Sequence, residues 1–288
     1  MKPSICIGTA QFGLEYGITN NSGQVSREEV RKILGKGAKL GAIYLDTARA
    51  YGNAEAIIGS CLEEKNDYKI ISKLPAGKTC DWEVDFQKSC ELLKVNSIDS
   101  ILLHSADDLR GKEGGALKKW LIKLKERGLV RRIGISIYEA SDLRDIDKAI
   151  LDLVQLPLSI YDQRLLRDGT INELSLNGTA IHARSLYLQG LLLTPADKWP
   201  TWINPTVRNH HKCLEELAHS RKCKLIDMAL GFAKEQTQLE AVILGLCSMD
   251  ELDQLNKAWE SKSPWQEGEW NAWSITDRCI LDPRLWPR

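Results

Sequence analysis

No two cysteines in this 288-residue chain stand at a CxxC interval, and the eight thiols, at positions 6, 61, 80, 90, 213, 223, 247 and 279, match no zinc-ligand spacing. Neither a metal site nor a disulfide framework is expected, and the cysteines read as reduced thiols of a cytoplasmic protein. Net charge is missing as well. The 39 Lys and Arg balance 39 Asp and Glu, which removes the electrostatic case for nucleic acid or for an anionic membrane as partner. No apolar run approaches the roughly 20 residues that span a bilayer, and the opening MKPSICIGTA lacks the apolar core of a signal peptide. No GxGxxG follows a strand-like run, so a Rossmann domain has little support. Linkers, charge blocks, low-complexity segments and heptad seams are also absent, so a single domain over 1–288 and a monomer are expected.

What is present is a rhythm. With 43% hydrophobic residues the chain can bury a large core, and its apolar runs of four to six residues alternate with longer amphipathic stretches. The pattern predicts strands at Cys6 to Gly8, Ala42 to Asp46, Lys69 to Lys73, Ser100 to His104, Arg132 to Ser136, Leu153 to Pro157, Ala180 to Arg184 and Ala241 to Gly245. Helices are expected at Arg27 to Leu40, Ala54 to Glu64, Asp81 to Leu93, Ala116 to Arg127, Ser141 to Leu151, Thr170 to Leu176, Arg208 to Ser220 and Leu225 to Gln236, with another opening at Met249. Ser26 with Glu29 fits a capping box, and Asn53 can cap the amides of Ala54 to Ala56. Units of about 36 residues repeating eight times predict an α/β fold, the (β/α)8 TIM barrel.

In such a fold all strand C-termini share one face. Asp46, Lys73 and His104 each end an apolar run, and Tyr51 lies in the turn after Asp46. Singly, each reads more readily as a cap, a solvated end or packing. Together they form a proton donor. A free phenol, with a pKa of about 10, gives up a proton poorly at neutral pH. A cationic Lys73 near the Tyr51 oxygen would lower that value, Asp46 would keep the lysine charged and oriented, and His104 could donate to a carbonyl oxygen.

At these residues the sequence resembles the aldo/keto reductase family. The resemblance is carried by GTAQFG (Gly8 to Gly13), LDTARAYGNAE (Leu45 to Glu55), ISKLP (Ile71 to Pro75), LLHS (Leu102 to Ser105), RRIGIS (Arg131 to Ser136), VQLPLSIYDQR (Val154 to Arg164), RSLYLQGLL (Arg184 to Leu192) and ILGLCSMDEL (Ile243 to Leu252). It implies an NAD(P)H-dependent enzyme that reduces an aldehyde or ketone, a sugar or sugar derivative among them, with Tyr51 as proton donor. It also implies that Gln155 and Ser136 hydrogen-bond the nicotinamide amide, and that Gly8 and Thr9 adjoin the cofactor. Arg184 stands where relatives stack an aromatic ring on the nicotinamide; a salt bridge in the barrel mouth is the alternative for it. Ser185, Leu186, Leu188 and Gly190, with Gly245 and Ser248, would serve the phosphates, where the helix opening at Met249 offers free amides. Three positions depart from the pattern. Ile137 replaces a usual asparagine, and Cys247 and Leu255 replace the residues that NADP-preferring relatives use to hold the 2′-phosphate. NADPH is the expected cofactor from family habit, with NADH the alternative.

Substrate contacts are expected from loops above the barrel. Phe12 and Tyr16 could wall one side, and Trp199 and Trp202 the other. Five tryptophans, at 259, 265, 270, 273 and 286, crowd the tail 259–288, which should pack on the barrel flank or lend a ring to the substrate. His182 reads as a core residue, and His210, His211 and His219 as helix surface. Two other functions share the fold: a nicotinamide-binding redox sensor without turnover, and an aldolase that uses Lys73 as a Schiff base.

Overall fold

A computed structural model describes residues 2–62, 67–75, 77 and 81–287. Among them, eight strands close a parallel barrel in sequence order: β1 (Ser4–Gly8), β2 (Tyr44–Asp46), β3 (Lys69–Leu74), β4 (Ile98–Leu103), β5 (Val130–Ser136), β6 (Leu153–Pro157), β7 (Ala180–Arg184) and β8 (Ala241–Gly245). β8 pairs back onto β1, with Gly245 beside Gly8. Helices Arg27–Lys39, Ala54–Cys61, Trp82–Leu93, Gly114–Glu126, Thr170–Leu176, Pro205–Ser220, Leu225–Glu235 and Met249–Glu260 surround it. The chain is a (β/α)8 TIM barrel, as its rhythm predicts. No helix among the described residues is long and apolar enough to cross a membrane.

Some local expectations fail, each for an identifiable reason. The helix expected at Ser141 to Leu151 is two short 3-10 turns, Ala140–Leu143 and Lys148–Ile150. Here Asp142 accepts the amides of Tyr138 and Glu139, Asp147 accepts that of Ala149, and Asp145 sits at φ 62°. Aspartate side chains that bond nearby amides compete with a helical ladder. The helix after Tyr51 stops at Cys61; residues 63 and 64 of the expected helix lie outside the described residues. Asn53 holds the N-cap position without capping, because its carbonyl oxygen accepts from Gln24 Nε2 at 2.7 Å instead. The capping box at Ser26 is half formed: Ser26 Oγ accepts from the Glu29 amide, but the Glu29 carboxylate accepts from the Met249 amide at 2.7 Å.

The two-residue period of the strands sorts their side chains into an inner and an outer set. The inner set is layered. Its middle is apolar, with Cys6, Ile71, Leu102, Leu153 and Ala241 packed against one another and Tyr44 at the edge. Below it, at the strand N-termini, lies a polar floor centred on Glu240, whose Oε1 accepts from Tyr44 Oη at 2.6 Å and Arg132 Nη1 at 2.7 Å and meets His182 Nε2 at 3.1 Å. His182 is fully buried, as expected of a core residue, although its Nδ1 has no partner.

The tail lies against the outer helices. Trp259 and Trp265 are buried, Trp265 Nε1 donates to the Met228 carbonyl, and Trp270 Nε1 donates to Glu235. His211 is not a surface residue: it is fully buried, with Nδ1 2.7 Å from Tyr161 Oη and Nε2 3.0 Å from the Thr194 carbonyl.

Burial alone would raise the Glu240 carboxyl, but hydrogen bonds from His182, Tyr44 and Arg132 more than reverse this and hold it well below the usual carboxylate range. A carboxyl whose folded pKa is depressed adds stability above its unfolded value, and that stability is lost as pH falls. Glu240→Gln is therefore expected to lose about 1–3 kcal/mol at neutral pH, the lower part of the range for a broken buried pair because the side chain is 35% exposed. Urea unfolding should show the gap between wild type and variant closing below about pH 4.5. A gap independent of acid would mean that the charge contributes nothing.

Candidate active site

At the opposite end of the barrel the inner set becomes polar again. Asp46 ends β2, and Lys73 lies near the end of β3, one inward position above Ile71. Lys73 is 1% and Asp46 3% exposed, a degree of burial that a charge tolerates only when paired. The pairing is close: Lys73 Nζ donates to both Asp46 oxygens at 2.7 Å and to the Thr47 carbonyl at 3.0 Å. Gln155 Nε2 makes a short hydrogen bond to Asp46 Oδ1. Thr9 ties down the Asp46 backbone, its amide and hydroxyl both donating to the Asp46 carbonyl. Burial would push the Lys73 ammonium down, but the charge and hydrogen bond of Asp46, together with Tyr51 and Cys6, more than reverse this and leave the pKa raised. Lys73 is a cation at neutral pH.

Its charge faces a tyrosine. Lys73 Nζ lies 5.1 Å from the centroid of the Tyr51 ring, whose edge meets His104 with centroids 6.2 Å apart. The turn that carries Tyr51 is held from two sides. On one, Gly13 packs so closely that an added Cβ would fall 1.9 Å from the Tyr51 carbonyl, and Gly52, at φ 56°, meets Gly13 in the same way. On the other, buried Glu55 accepts from Arg49 at 2.9 Å and from Ser72 Oγ at 2.7 Å, clamping the turn to β3. Sequence reading quotes Glu55 as part of a motif without a role; its role is this clamp.

The expected depression of the Tyr51 pKa is not observed. Burial raises the phenol above its ordinary value, and the opposing charge of Lys73 does not cancel it. His104 moves the other way. Burial first, then the positive charges of Lys73 and Arg184, lower its pKa to about 4. At neutral pH the site therefore holds a protonated phenol, a neutral imidazole and a charged lysine.

These groups line a cavity of about 380 Å³. Gly8, Thr9, Tyr16, Asp46, Tyr51, Lys73, His104, Ser136, Arg184, Ser185, Leu186, Gly190 and Gly245 all line it. Gln155 lies behind this wall, fully buried, with its Oε1 unpartnered. Two loops close over the long side of the cavity. An added Cβ on Gly190 (φ 93°) would fall 1.9 Å from Thr19 Oγ1, so the loop after β7 leans directly on the loop after β1. Ser185, Leu188 and Gln189 also adopt positive φ, a strained run for residues with a Cβ.

Other expected residues stand elsewhere. Leu188 is buried and Ser248 caps a helix, its Oγ accepting the Glu251 amide. Phe12 is fully buried in the core. Trp199 is 3% exposed, stacks on His211 at 4.3 Å, and donates Nε1 to the Leu191 and Thr194 carbonyls. Trp202 packs on Trp286. None of these three aromatics lines the cavity, since burial in the core wins over exposure on a loop; nor do the tail tryptophans. Their place is taken by Tyr138, which sequence reading misses because it stands two residues beyond a strand in no recognisable pattern. The Tyr138 ring lies between the guanidiniums of Arg184 at 4.0 Å and Arg284 at 3.5 Å. Arg184 makes no salt bridge among the described residues. It donates to Ser136 Oγ, Ser185 Oγ and the Ile137 carbonyl.

Comparison with known proteins agrees with this geometry. A sequence model of the aldo/keto reductase family matches residues 4–275. An aldo-keto reductase of Mycolicibacterium vanbaalenii is 30% identical over 134 residues, 43% of this chain and 46% of that protein. The D-arabinose 1-dehydrogenase of Saccharomyces cerevisiae is 24% identical over 243 residues, 72% of this chain and 70% of the yeast protein. The matched stretch thus spans less than half of the mycobacterial relative's length. The structure of an aldo-keto reductase from Bacillus halodurans, in its holo form, superposes with a TM-score of 0.73 over 99% of this chain and 94% of that one at 19% identity, a likeness of fold.

Because Asp46 alone neutralises Lys73, Asp46→Asn is expected to leave an unpaired buried ammonium and to lower stability by about 2–4 kcal/mol. Urea unfolding at neutral pH measures it. A loss below about 0.5 kcal/mol, within the range of an ordinary surface change, would mean that the pair is not under the constraint described.

Proposed function

This chain belongs to the aldo/keto reductase family, and on that premise we propose that it reduces an aldehyde or ketone to an alcohol with a nicotinamide cofactor, Tyr51 supplying the proton. The observation that carries the proposal is the buried Lys73 ammonium, clamped on both oxygens of Asp46 and facing the Tyr51 ring at the end of a long cavity.

The residues present fit a nicotinamide. Gln155 Oε1 is buried without a partner and can accept an amide N–H, and the hydroxyl of Ser136, which accepts from Arg184, keeps its own proton to donate to an amide carbonyl. Gln155, Ser136 and Arg184 would hold the carboxamide end. When bound, a reduced nicotinamide supplies a hydride. The rest belongs to the chain's own groups. Neutral His104 can donate a hydrogen bond to the substrate's carbonyl oxygen and polarise it. Tyr51, whose raised pKa keeps its proton in place, donates that proton as charge builds on the oxygen. Lys73 then stabilises the phenolate left behind, and Asp46 keeps the lysine charged throughout. Oxidation of an alcohol runs through the same groups in reverse. The likeness to a D-arabinose 1-dehydrogenase supports a sugar or a related small hydroxy-carbonyl compound as substrate.

A Schiff-base aldolase is disfavoured by the same lysine, since an amine with a raised pKa and all three N–H donors engaged is a poor nucleophile. A nicotinamide sensor without turnover would not need the four polar groups together. Tyr51→Phe separates the readings. It is expected to lower reduction of a panel of small aldehydes by about a hundredfold to ten-thousandfold while leaving cofactor affinity, read by quenching of tryptophan fluorescence, nearly unchanged. Equal turnover in variant and wild type would overturn the proposal. The pH profile adds a second check: with His104 titrating at about 4 and Tyr51 above its ordinary value, the reduction rate should be flat from about pH 5 to 9. An inflection near neutrality would mean that His104 titrates in the working range.

A further inference from the structure

We infer that Glu251 and Glu29 make this chain select NADH over NADPH, by occupying with carboxylates the backbone amides where a phosphate on the adenosine ribose would bind. The inference rests on the nicotinamide reading above and reverses the cofactor order that family resemblance suggests.

The same cavity is lined by Tyr51, Lys73 and His104 and, beyond β8, by Cys247 and Glu251. A dinucleotide with its reactive ring beside Tyr51 would lay its adenosine toward Cys247 and Glu251. There the chain turns into the helix Met249–Glu260, whose N-terminal amides and dipole would suit an anion. Three amides there are already engaged. The Cys247 amide donates to Glu251 Oε2 at 2.6 Å, the Met249 amide donates to Glu29 Oε1 at 2.7 Å, and Ser248 Oγ accepts from the Glu251 amide at 3.2 Å.

The charge around them is negative. Asp250 and Glu251 lie in the first turn of the helix. Lys36, on the same helix as Glu29, is tied to Asp253 one turn further along. Among the described residues, neither Glu29 nor Glu251 forms an ion pair. Glu29 comes from a different segment, 220 residues away in sequence, so its seat on Met249 is a tertiary contact and not a local cap. Beside the same rim the hydroxyl of Tyr187 is buried without a partner, and burial first, then the Glu251 carboxylate, raise its pKa.

The two cofactors differ by one phosphate on the ribose 2′-oxygen. That phosphate brings negative charge and acceptors, which meet two carboxylates and three amides already donated elsewhere, while among the described residues the cations that line the cavity, Lys73 and Arg184, stand beside Tyr51 and Ser136. A free 2′-hydroxyl brings a donor, which the Glu251 carboxylate can accept. The site therefore repels one form and satisfies the other, a discrimination that works chiefly by exclusion.

Equilibrium binding, read by quenching of intrinsic tryptophan fluorescence, tests this independently of turnover. Wild type should bind NADH at least about tenfold more tightly than NADPH, since like charges brought together at an interface are strongly unfavourable. In the double variant Glu29→Gln, Glu251→Gln the amide side chains keep carbonyl oxygens for the Met249 and Cys247 amides, so the helix start stays capped. NADPH affinity should rise about tenfold in this variant, and NADH affinity should not rise with it, since the carboxylate that accepts the 2′-hydroxyl is gone. NADPH binding to wild type as tightly as NADH, or an unchanged ratio in the variant, would overturn the inference and leave the reductase reading standing. Binding of neither nucleotide would overturn the nicotinamide reading and this inference with it.

Discussion

The Lys73–Asp46 pair is the interaction around which the upper barrel is built. Burying two charges is unfavourable by several kcal/mol each unless their attraction and additional hydrogen bonds make it up. Here the hydrogen bonds come from neighbours far apart in sequence: the Thr47 carbonyl next to Asp46, Gln155 from β6, and Thr9 just after β1, which holds the Asp46 backbone. Asp46 and Lys73 come from the paired strands β2 and β3, and β6 helps to bury them, so the pair's stability depends on closure of the barrel. This also fixes what the lysine can do. Held on Asp46 and Thr47, it acts on Tyr51 chiefly through its charge.

That charge organises the protons around it. Burial pushes Tyr51 up, so the phenol stays protonated, while burial and two nearby cations push His104 down to about 4, so the imidazole stays neutral. The same low-dielectric surroundings thus hold one group in its acid form and the other in its basic form. Both are hydrogen-bond donors in those forms. A carbonyl oxygen brought between them would meet two donors at once, and the nearby lysine would stabilise negative charge on whichever oxygen receives it. The sequence-level argument that Lys73 must depress the Tyr51 pKa leaves out the burial that the site itself imposes.

What could be read in the sequence follows from what is local. Strand positions come from period and length alone, and because the period is two, Asp46, Lys73 and His104 could be placed on one rim before any coordinate was known. Errors cluster where a residue type is right but its partner is chosen by tertiary structure. Asn53 has the chemistry of a cap and bonds Gln24 instead; Glu29 has the chemistry of a capping box and bonds Met249. Phe12, Trp199 and His211 look like loop or surface residues and are buried, because which side of a loop faces the core is set by elements far away in sequence. The 141–151 segment fails for the opposite reason. Its aspartates satisfy nearby amides so well that no helix is needed.

The two polar ends of the barrel interior show why chemistry is confined to one of them. Each is centred on a carboxylate with donors converging on it, Glu240 below and Asp46 above. Between them lies an apolar layer that neither network crosses. At the floor the tyrosine, arginine and histidine converge on one oxygen and Arg132 also donates to Ser100 and Asp99, so the network is closed by the barrel's own residues and its effect is on stability. At the top the carboxylate is screened by Lys73, and the outward-facing groups, Tyr51 and His104, look into a cavity. The position of the open end follows from the connections, because the short loops after the strands, carrying Tyr51, Tyr138 and the 185–190 turn, fold over the C-terminal rim. Substitutions in those loops can change what is bound without touching the layers that close the barrel. Glu251 is of this kind: it follows β8, leaves the pairing of β8 with β1 intact, and places a carboxylate on the cavity wall.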